Sequence, residues 1–471
     1  MPKRVAVVGG GVSGLTAAYR LRQLLGPDAE IVLLEQHKLL GGKLRTIDLA
    51  GTRFDVGAEA FLARRPEVPD LAAELGIGDQ IVHPSGASSR IRAGGSSGRI
   101  PARTVMGVPA SAAEVDGVLS ERGAQAVRAE ADLPPLDLDG ADVAVGELLR
   151  ERLGAEVVDR LVEPLLGGVY AGSADSLGLR ATIPALAAEL DAGASSVTEA
   201  VRRALPEPAP DPAARPPVFG AFRGGYRQLL DRLLLAADAD LRVGAPVRAL
   251  QRTGEGWRLS FGAAPEPEQL DVDGVLLAVP APAAARLLSG PAEGAAELLG
   301  GVELASMAVV ALALPADVGL PEVSGTLIAR GERHDDSTPF TAKAFTLSGT
   351  KWPHLRGENG EQLVRGSVGR FGEAADLRLD DDDLLERVCA DLAELTGVHA
   401  DPVDAAVVRW GGGLPQYGAG HLDLVAEAER EVAAVPGLGL AGAALHGVGV
   451  PACVATATAA AESVARDLLP G

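Results

Sequence analysis

The apolar pattern changes period twice within the first thirty-five positions. Residues 4–8 (RVAVV) form a short unbroken apolar run, the signature of a strand covered on both faces. A Gly-rich turn follows, and from Leu15 the run LTAAYRLRQLL carries apolar residues at helical spacing. Residues 31–35 (IVLLE) make a second buried strand, so the opening predicts a β-α-β unit of about thirty residues. The far end repeats the logic, with GLGLAGAA predicting a strand into a Gly-rich turn and ATATAAAESVARDLL a helix. Between these ends, residues 145–166 (VGELLRERLGAEVVDRLVEPLL) are amphipathic at three-to-four spacing. The stretches LRVGAPVRALQR, WRLSF and VDGVLLAVP then predict strands, as do MAVVALAL, GTLIAR and LVRGSVGRF around a helix at LLERVCADLAEL. No fixed period repeats.

These elements predict an α/β fold with more than one core, since 471 residues exceed what a single core fills. Segments 1–90, 218–290 and 405–471 are expected to make a discontinuous nucleotide-binding domain, and 91–205 a helical insertion. Residues 206–217 (PEPAPDPAARPP) form a Pro-rich linker that neither a helix nor a central strand can accommodate. Residues 291–404 are expected to form a separate α+β substrate-binding domain.

Composition narrows the function classes. A formal charge of −21 and a sequence pI near 4.8 leave no net field to recruit phosphates, so nucleic acid is excluded as a partner. Adhesion to an anionic membrane by charge is excluded in the same way. Cys389 and Cys453 lie far apart without metal or dithiol spacing, and no metal site is expected. A strand begins almost at the N-terminus, which leaves no room for a leader, so a cytoplasmic protein is expected. Residues 437–461 are long enough to span a bilayer, but they are built of Gly and Ala and broken by Pro451. A loop followed by a buried helix is the expectation there.

Gly9-x-Gly11-x-x-Gly14 stands between the first strand and helix, and Glu35 closes the next strand. Each part has a task. Gly9 permits the tight turn, and Gly11, with Gly10, Val12 and Ser13, lets a pyrophosphate approach backbone. Gly14 lets the helix pack on the sheet, and Glu35 accepts hydrogen bonds from a ribose diol. Two later segments favour FAD over NAD. Leu40-Gly41-Gly42-Lys43-Leu44-Arg45 offers a second glycine pair and two cations to an extended dinucleotide. Gly57-Ala58-Glu59-Ala60 supplies small residues that let backbone approach a flavin ring. Near the C-terminus, Gly442, Ala443, Val448, Gly449 and Val450 form a turn into a helix N-terminus able to direct amides at a reduced flavin. Val247 completes the cofactor set. His446, a single His on a Gly-rich loop, is read as a structural or solvent contact rather than a base.

Three further blocks carry a resemblance. They are Glu163-Pro164 through Tyr170-Ala171-Gly172, Phe222-Arg223-Gly224-Gly225, and Arg409-Trp410 with Pro415-Gln416-Tyr417 and Gly420-His421. With the glycine fingerprint they resemble the protoporphyrinogen/coproporphyrinogen oxidases of the flavin amine oxidase superfamily over essentially the whole chain. The soluble actinobacterial branch is the most similar. Ser173 and Ala58 depart from residues common in that family, and Arg103 is only a neighbour of an arginine that some members place after Pro101.

The resemblance implies a Rossmann-like FAD-binding domain and an O2-linked oxidation of coproporphyrinogen III, with three two-electron transfers to flavin N5. No catalytic side chain is demanded. Protoporphyrinogen IX is the alternative substrate, and an amine or a carotenoid would be a more distant one. It also implies a substrate clamp at residues 168–172. There the backbone at Gly168 and Gly172 would accept pyrrole N–H bonds and Tyr170 would pack on a ring, unless Tyr170 is simply a core residue. Arg103, Arg64, Arg65, Arg90 and Lys343 are candidate partners for substrate carboxylates. A ferrochelatase receiving the product is a candidate partner, and membrane contact is expected to be peripheral at most.

Overall fold

The computed structural model describes residues 2–115, 117–206 and 217–469. Its organising element is a five-stranded parallel sheet in the order Asp240–Val243, Glu30–Glu35, Arg4–Val8, Gly274–Leu277, Leu438–Leu440. Val5, Ala6 and Val7 of the central strand are fully buried, which requires cover on both faces. Helices Val12–Leu25, Arg227–Ala237 and Val450–Leu468 cover one face. A three-stranded antiparallel sheet (Val247–Arg252, Trp257–Phe261, Glu268–Val272) and helices Ala281–Leu288, Glu293–Gly300 and His421–Ala433 cover the other.

The apolar C-terminal run forms strand Leu438–Leu440, a loop, and helix Val450–Leu468, which packs along Val12–Leu25. Small residues allow this: Ala457 and Ala461 are fully buried where the two helices and the sheet meet. Among the described residues no helix is long and apolar enough to cross a membrane.

A second sheet has seven strands, in the order Asp404–Pro415, Leu304–Leu314, Gln362–Val368, Ala342–Leu347, Gly325–Ile328, Ser89–Ala93, Ser96–Arg99. Helix Asp381–Thr396 packs on one face. The other face meets Phe54, Val56 and Ala221 of the first domain. Two boundaries drawn from the sequence shift here. Asp404–Pro415 pairs along Leu304–Leu314, and Ser89–Ala93 pairs with Gly325–Ile328. By sheet membership both therefore belong with the second sheet, rather than with the nucleotide-binding segment and the helical insertion.

The insertion is a helical cluster around Leu149, Val157, Val162, Leu166 and Ile183, all essentially inaccessible. The helix expected across 145–166 is interrupted. Val145–Leu153 ends at Gly154, whose φ of +87° suits glycine alone. Val158–Val162 is a π-turn leading into Glu163–Tyr170, where Pro164 lacks the amide that a regular ladder would use. Of the Pro-rich linker, residues 207–216 lie outside the described residues.

Candidate cofactor and substrate site

The three glycines of the first turn have unequal reasons for being glycine. Gly9 has φ +110°, and a Cβ there would lie 2.4 Å from the Ala278 carbonyl oxygen. At Gly14 a Cβ would fall 1.8 Å from the Gly9 carbonyl oxygen. Both are fixed by close packing of protein on protein. Gly11 differs: the nearest atom to its Cβ position is Gly42 Cα at 3.9 Å. The space beside it is left open between the first and second glycine turns, which are joined by Gly41 N donating to Gly10 O at 2.8 Å.

That opening suits a diphosphate. Helix Val12–Leu25 has no side-chain cap and no acidic residue in its first turn, so its leading amides face the opening unpartnered by side chains. Lys43, half-buried, makes no hydrogen bond or ion pair among the described residues, and desolvation pulls its ammonium below the usual lysine range. Uncapped amides and an unpaired cation around a glycine cradle fit the pyrophosphate of a dinucleotide. Glu35 is buried, with Oε2 accepting from Gly10 N at 2.7 Å and Oε1 from His37 N at 2.8 Å. These bonds fix the carboxylate at the end of its strand and leave further lone pairs for a ribose diol.

The second turn is strapped to residues 55–59. Ala58 N donates to Lys43 O at 3.0 Å, and Gly57 has no room for a Cβ, which would lie 1.9 Å from that same oxygen. From the second sheet, Trp410 Nε1 donates to Val56 O at 2.9 Å, and Arg365 donates to Asp55 O and Gly57 O. Glu59 is drawn into this tie. Its carboxylate accepts from Lys351 Nζ at 2.6 Å and from Ser348 Oγ at 3.3 Å. Burial alone would raise its pKa, but the Lys351 and Arg365 charges outweigh burial and hold it below the usual range. The side chain of Glu59 thus joins the two sheets, leaving its backbone for a cofactor. Asp55 is buried against Tyr226 N and Thr46 Oγ1, and desolvation pushes it up to about 7.

The C-terminal turn is held from outside. Gly442 has φ +131°, with no atom within 4 Å of a Cβ position, and the loop leads into helix Val450–Leu468, which has no side-chain cap. The Tyr417 hydroxyl donates to Ala443 O and accepts from Gly447 N at 3.1 Å. His421 stacks on the Tyr417 ring at 3.9 Å and bonds Leu445 O at 3.1 Å. Burial lowers the His421 pKa, so the ring is neutral there. His446 instead pairs with Glu429 at 2.9 Å on the surface, and this hydrogen bond raises its pKa.

The expected clamp is only partly available. Residues 163–170 are helical, so Gly167 O accepts from Ala171 N. Tyr170 O accepts from Gln416 Nε2 at 2.9 Å, and Ala171 O from Phe371 N at 2.6 Å. Those carbonyls are not free for a pyrrole, whereas Gly168 and Val169 are exposed. Gly172 packs where a Cβ would meet Gln416 Oε1 at 2.4 Å. Tyr170 is buried, its ring tilted against Tyr417 at 5.7 Å, and burial pushes its hydroxyl up to about 12. It therefore lies in the wall that joins insertion to cofactor loop.

The cations named from sequence do not converge. Arg103 pairs with Glu114 at 3.4 Å, Arg65 pairs with Glu67, and Arg64 and Arg90 are exposed. Lys343 alone of that set is buried. Sequence reasoning missed Arg365, Lys351 and Asp55. For Arg365 the signal would have been a charged residue within the otherwise largely apolar strand Gln362–Val368; Lys351, at the end of a short helix, and Asp55, at the end of a polar strand, carry no such mark.

The flavin-containing amine oxidoreductase model matches residues 12–465, nearly the whole chain. The chain belongs to that family. As a flavin-containing amine oxidoreductase it is an FAD-dependent oxidase, and the cradle described above is where its residues fit the dinucleotide. It is 45% identical to the coproporphyrinogen III oxidase of Mycobacterium tuberculosis over 99% of this chain and 98% of that one. It is 30% identical to the enzyme of the same name from Bacillus subtilis, over 96% of each. A crystal structure from Exiguobacterium sp. 255-15, assigned to the protoporphyrinogen oxidases, superposes with a TM-score of 0.86 at 31% identity over 99% of each chain.

Proposed function

We propose that this chain oxidises coproporphyrinogen III to coproporphyrin III with O2 as the final acceptor. One observation carries the reading: 45% identity along essentially the full length to a coproporphyrinogen III oxidase, with no domain of either chain left out. Six electrons and six protons leave the macrocycle, and three O2 become three H2O2. Bound FAD would accept two electrons, as hydride, in each of three rounds. The chain's own residues bind, orient and exclude water.

In this reading Gly9, Gly10, Gly11, Val12, Ser13 and Gly14 with Gly42 and Lys43 hold the pyrophosphate, and Glu35 the ribose. Gly57, Ala58, Ala60 and the loop 442–450 border the ring system, with Val247 on the cofactor side of the sheet. The exposed end of helix Glu163–Tyr170, at Gly168 and Val169, forms the substrate wall, and Tyr170 supports it from behind. In this reading the enzyme works in the cytoplasm and a ferrochelatase consumes its product.

The test is aerobic incubation of the purified flavoprotein with coproporphyrinogen III, following porphyrin fluorescence. Formation of coproporphyrin with about three H2O2 per porphyrin is expected from the six-electron balance. No porphyrin above the autoxidation blank would refute the reading. Protoporphyrinogen IX is the second reading, favoured by the structural match to the Exiguobacterium protein. It is separated by running both substrates side by side.

A further inference from the structure

Lys343 has the wrong surroundings for a structural lysine. It is 5% accessible, lies in strand Ala342–Leu347, and makes no hydrogen bond or ion pair among the described residues. A lysine this buried is almost always paired. Its orientation is the work of a bulge. Phe345 and Leu347 enter the apolar cluster beneath helix Asp381–Thr396, so period-2 counting would send Lys343 there too. A register shift between Ala342 and Ala344 lets Ala342 take that place instead and turns Lys343 away from the apolar cluster. Bulges of this kind re-aim single side chains next to functional sites.

The charged groups that act on Lys343 are cations. Arg365 stands on the adjacent strand Gln362–Val368, opposite Thr346, and holds the 55–57 strap of the cofactor domain. Arg370 follows that strand and donates to Ile328 O at 2.9 Å, and its charge also acts on Lys343. Both guanidiniums have carboxylates near them, Asp55 and Glu59 for Arg365, and Glu373 and Glu163 for Arg370, with Glu373 also paired to a third guanidinium, Arg330. The fourth side is helix Glu163–Tyr170, which packs across Gly325–Ile328 and Ala342–Leu347 and presents the exposed Gly168 and Val169. Lys343 thus sits between the flavin strap and the substrate wall, surrounded by positive charge and short of one anion.

We infer that Lys343 is the inner seat for one carboxylate of the substrate. The inference rests on the porphyrinogen reading above and names a residue that decides specificity within it. A carboxylate entering beside Lys343 supplies the missing counter-charge, and the amine takes up a proton as it does so. In the free protein, burial first and then Arg370 and Arg365 hold the amine down at about 7, so above that pH it is mostly neutral. Binding restores the charged form.

Calorimetric titration of the oxidised holoenzyme with the product coproporphyrin III, in buffers of different ionisation enthalpy, counts protons without turnover. At about pH 8.5 the wild type is expected to take up close to one proton per porphyrin, falling toward none below about pH 6, where the lysine is already charged. Lys343→Met should abolish the uptake and weaken coproporphyrin III by roughly tenfold. Lys343→Arg should keep the affinity and lose the uptake, because a guanidinium stays charged throughout. Wild type that oxidises coproporphyrinogen III yet binds the porphyrin without proton uptake overturns the inference alone. So does uptake that persists in Lys343→Met, or uptake that accompanies flavin reduction without porphyrin, which would make the reduced cofactor the anion. Wild type that neither binds nor oxidises the macrocycle overturns the function and the inference together.

Discussion

Gly11 and Gly14 lie in one turn yet fail differently when replaced. At Gly14 a methyl group collides with backbone at 1.8 Å, so Gly14→Ala should impair folding itself. Gly11 has an ordinary φ of −78° and an open side, so Gly11→Leu should fold with a normal circular dichroism spectrum and lose flavin. Flavin absorbance per chain after gel filtration reads this directly, and a Gly11→Leu protein with full occupancy would remove the pyrophosphate assignment. The Glu59–Lys351 pair makes a second residue-scale case. Lys351→Met strands a largely buried carboxylate and should cost about 3 kcal/mol, while Glu59→Gln with Lys351→Met should recover much of it. The folded pKa of Glu59 lies below its unfolded one. Its contribution is therefore present above the ordinary carboxyl range and lost as pH falls below it. Thermal melts of the three proteins across acidic pH check both the magnitude and the sign. Lys343 was already a candidate carboxylate partner from the sequence, but neither its burial nor the Glu59–Lys351 pair was legible there. TAKAFTLS has the look of any half-exposed strand until the bulge and the opposing domain are known.

Among elements, the C-terminal turn depends most on a distant part of the chain. Tyr417 follows strand Asp404–Pro415, yet its hydroxyl ties Ala443 O to Gly447 N across the loop before helix Val450–Leu468. Tyr417→Phe keeps the ring stack on His421 and removes only these two bonds, a loss of about 1–2 kcal/mol. Flavin affinity should then weaken by roughly tenfold with little change in secondary structure. Unchanged flavin affinity would mean that the loop is held by packing alone. The local elements were legible because their signals are local: the β-α-β opening, the glycine turns and the helix within the apolar C-terminal run. Strand membership was not. Asp404–Pro415 has the alternation of a strand but no mark of which sheet receives it, and its partner Leu304–Leu314 lies about a hundred residues away. Within the expected clamp, two backbone carbonyls are engaged from distant parts of the chain, which the local sequence does not reveal. Gln416 Nε2 takes the Tyr170 carbonyl and Phe371 N the Ala171 carbonyl.

At the scale of the whole molecule, a chain of net charge −21 must receive a macrocycle carrying four carboxylates. Over a Debye length of about 8 Å only the local cations count, and a buried cluster is screened less than exposed pairs. Two extra propionates, each worth about 1 kcal/mol, should favour coproporphyrinogen III over protoporphyrinogen IX by ten- to a hundredfold. The direct test of the central claim is the ratio of kcat/KM for these two porphyrinogens, measured with the purified flavoprotein under air at low and high salt. Coproporphyrinogen III is expected to be ahead by at least about tenfold at low salt, with the margin narrowing as salt rises. Equal or faster turnover of protoporphyrinogen IX at low salt would contradict it.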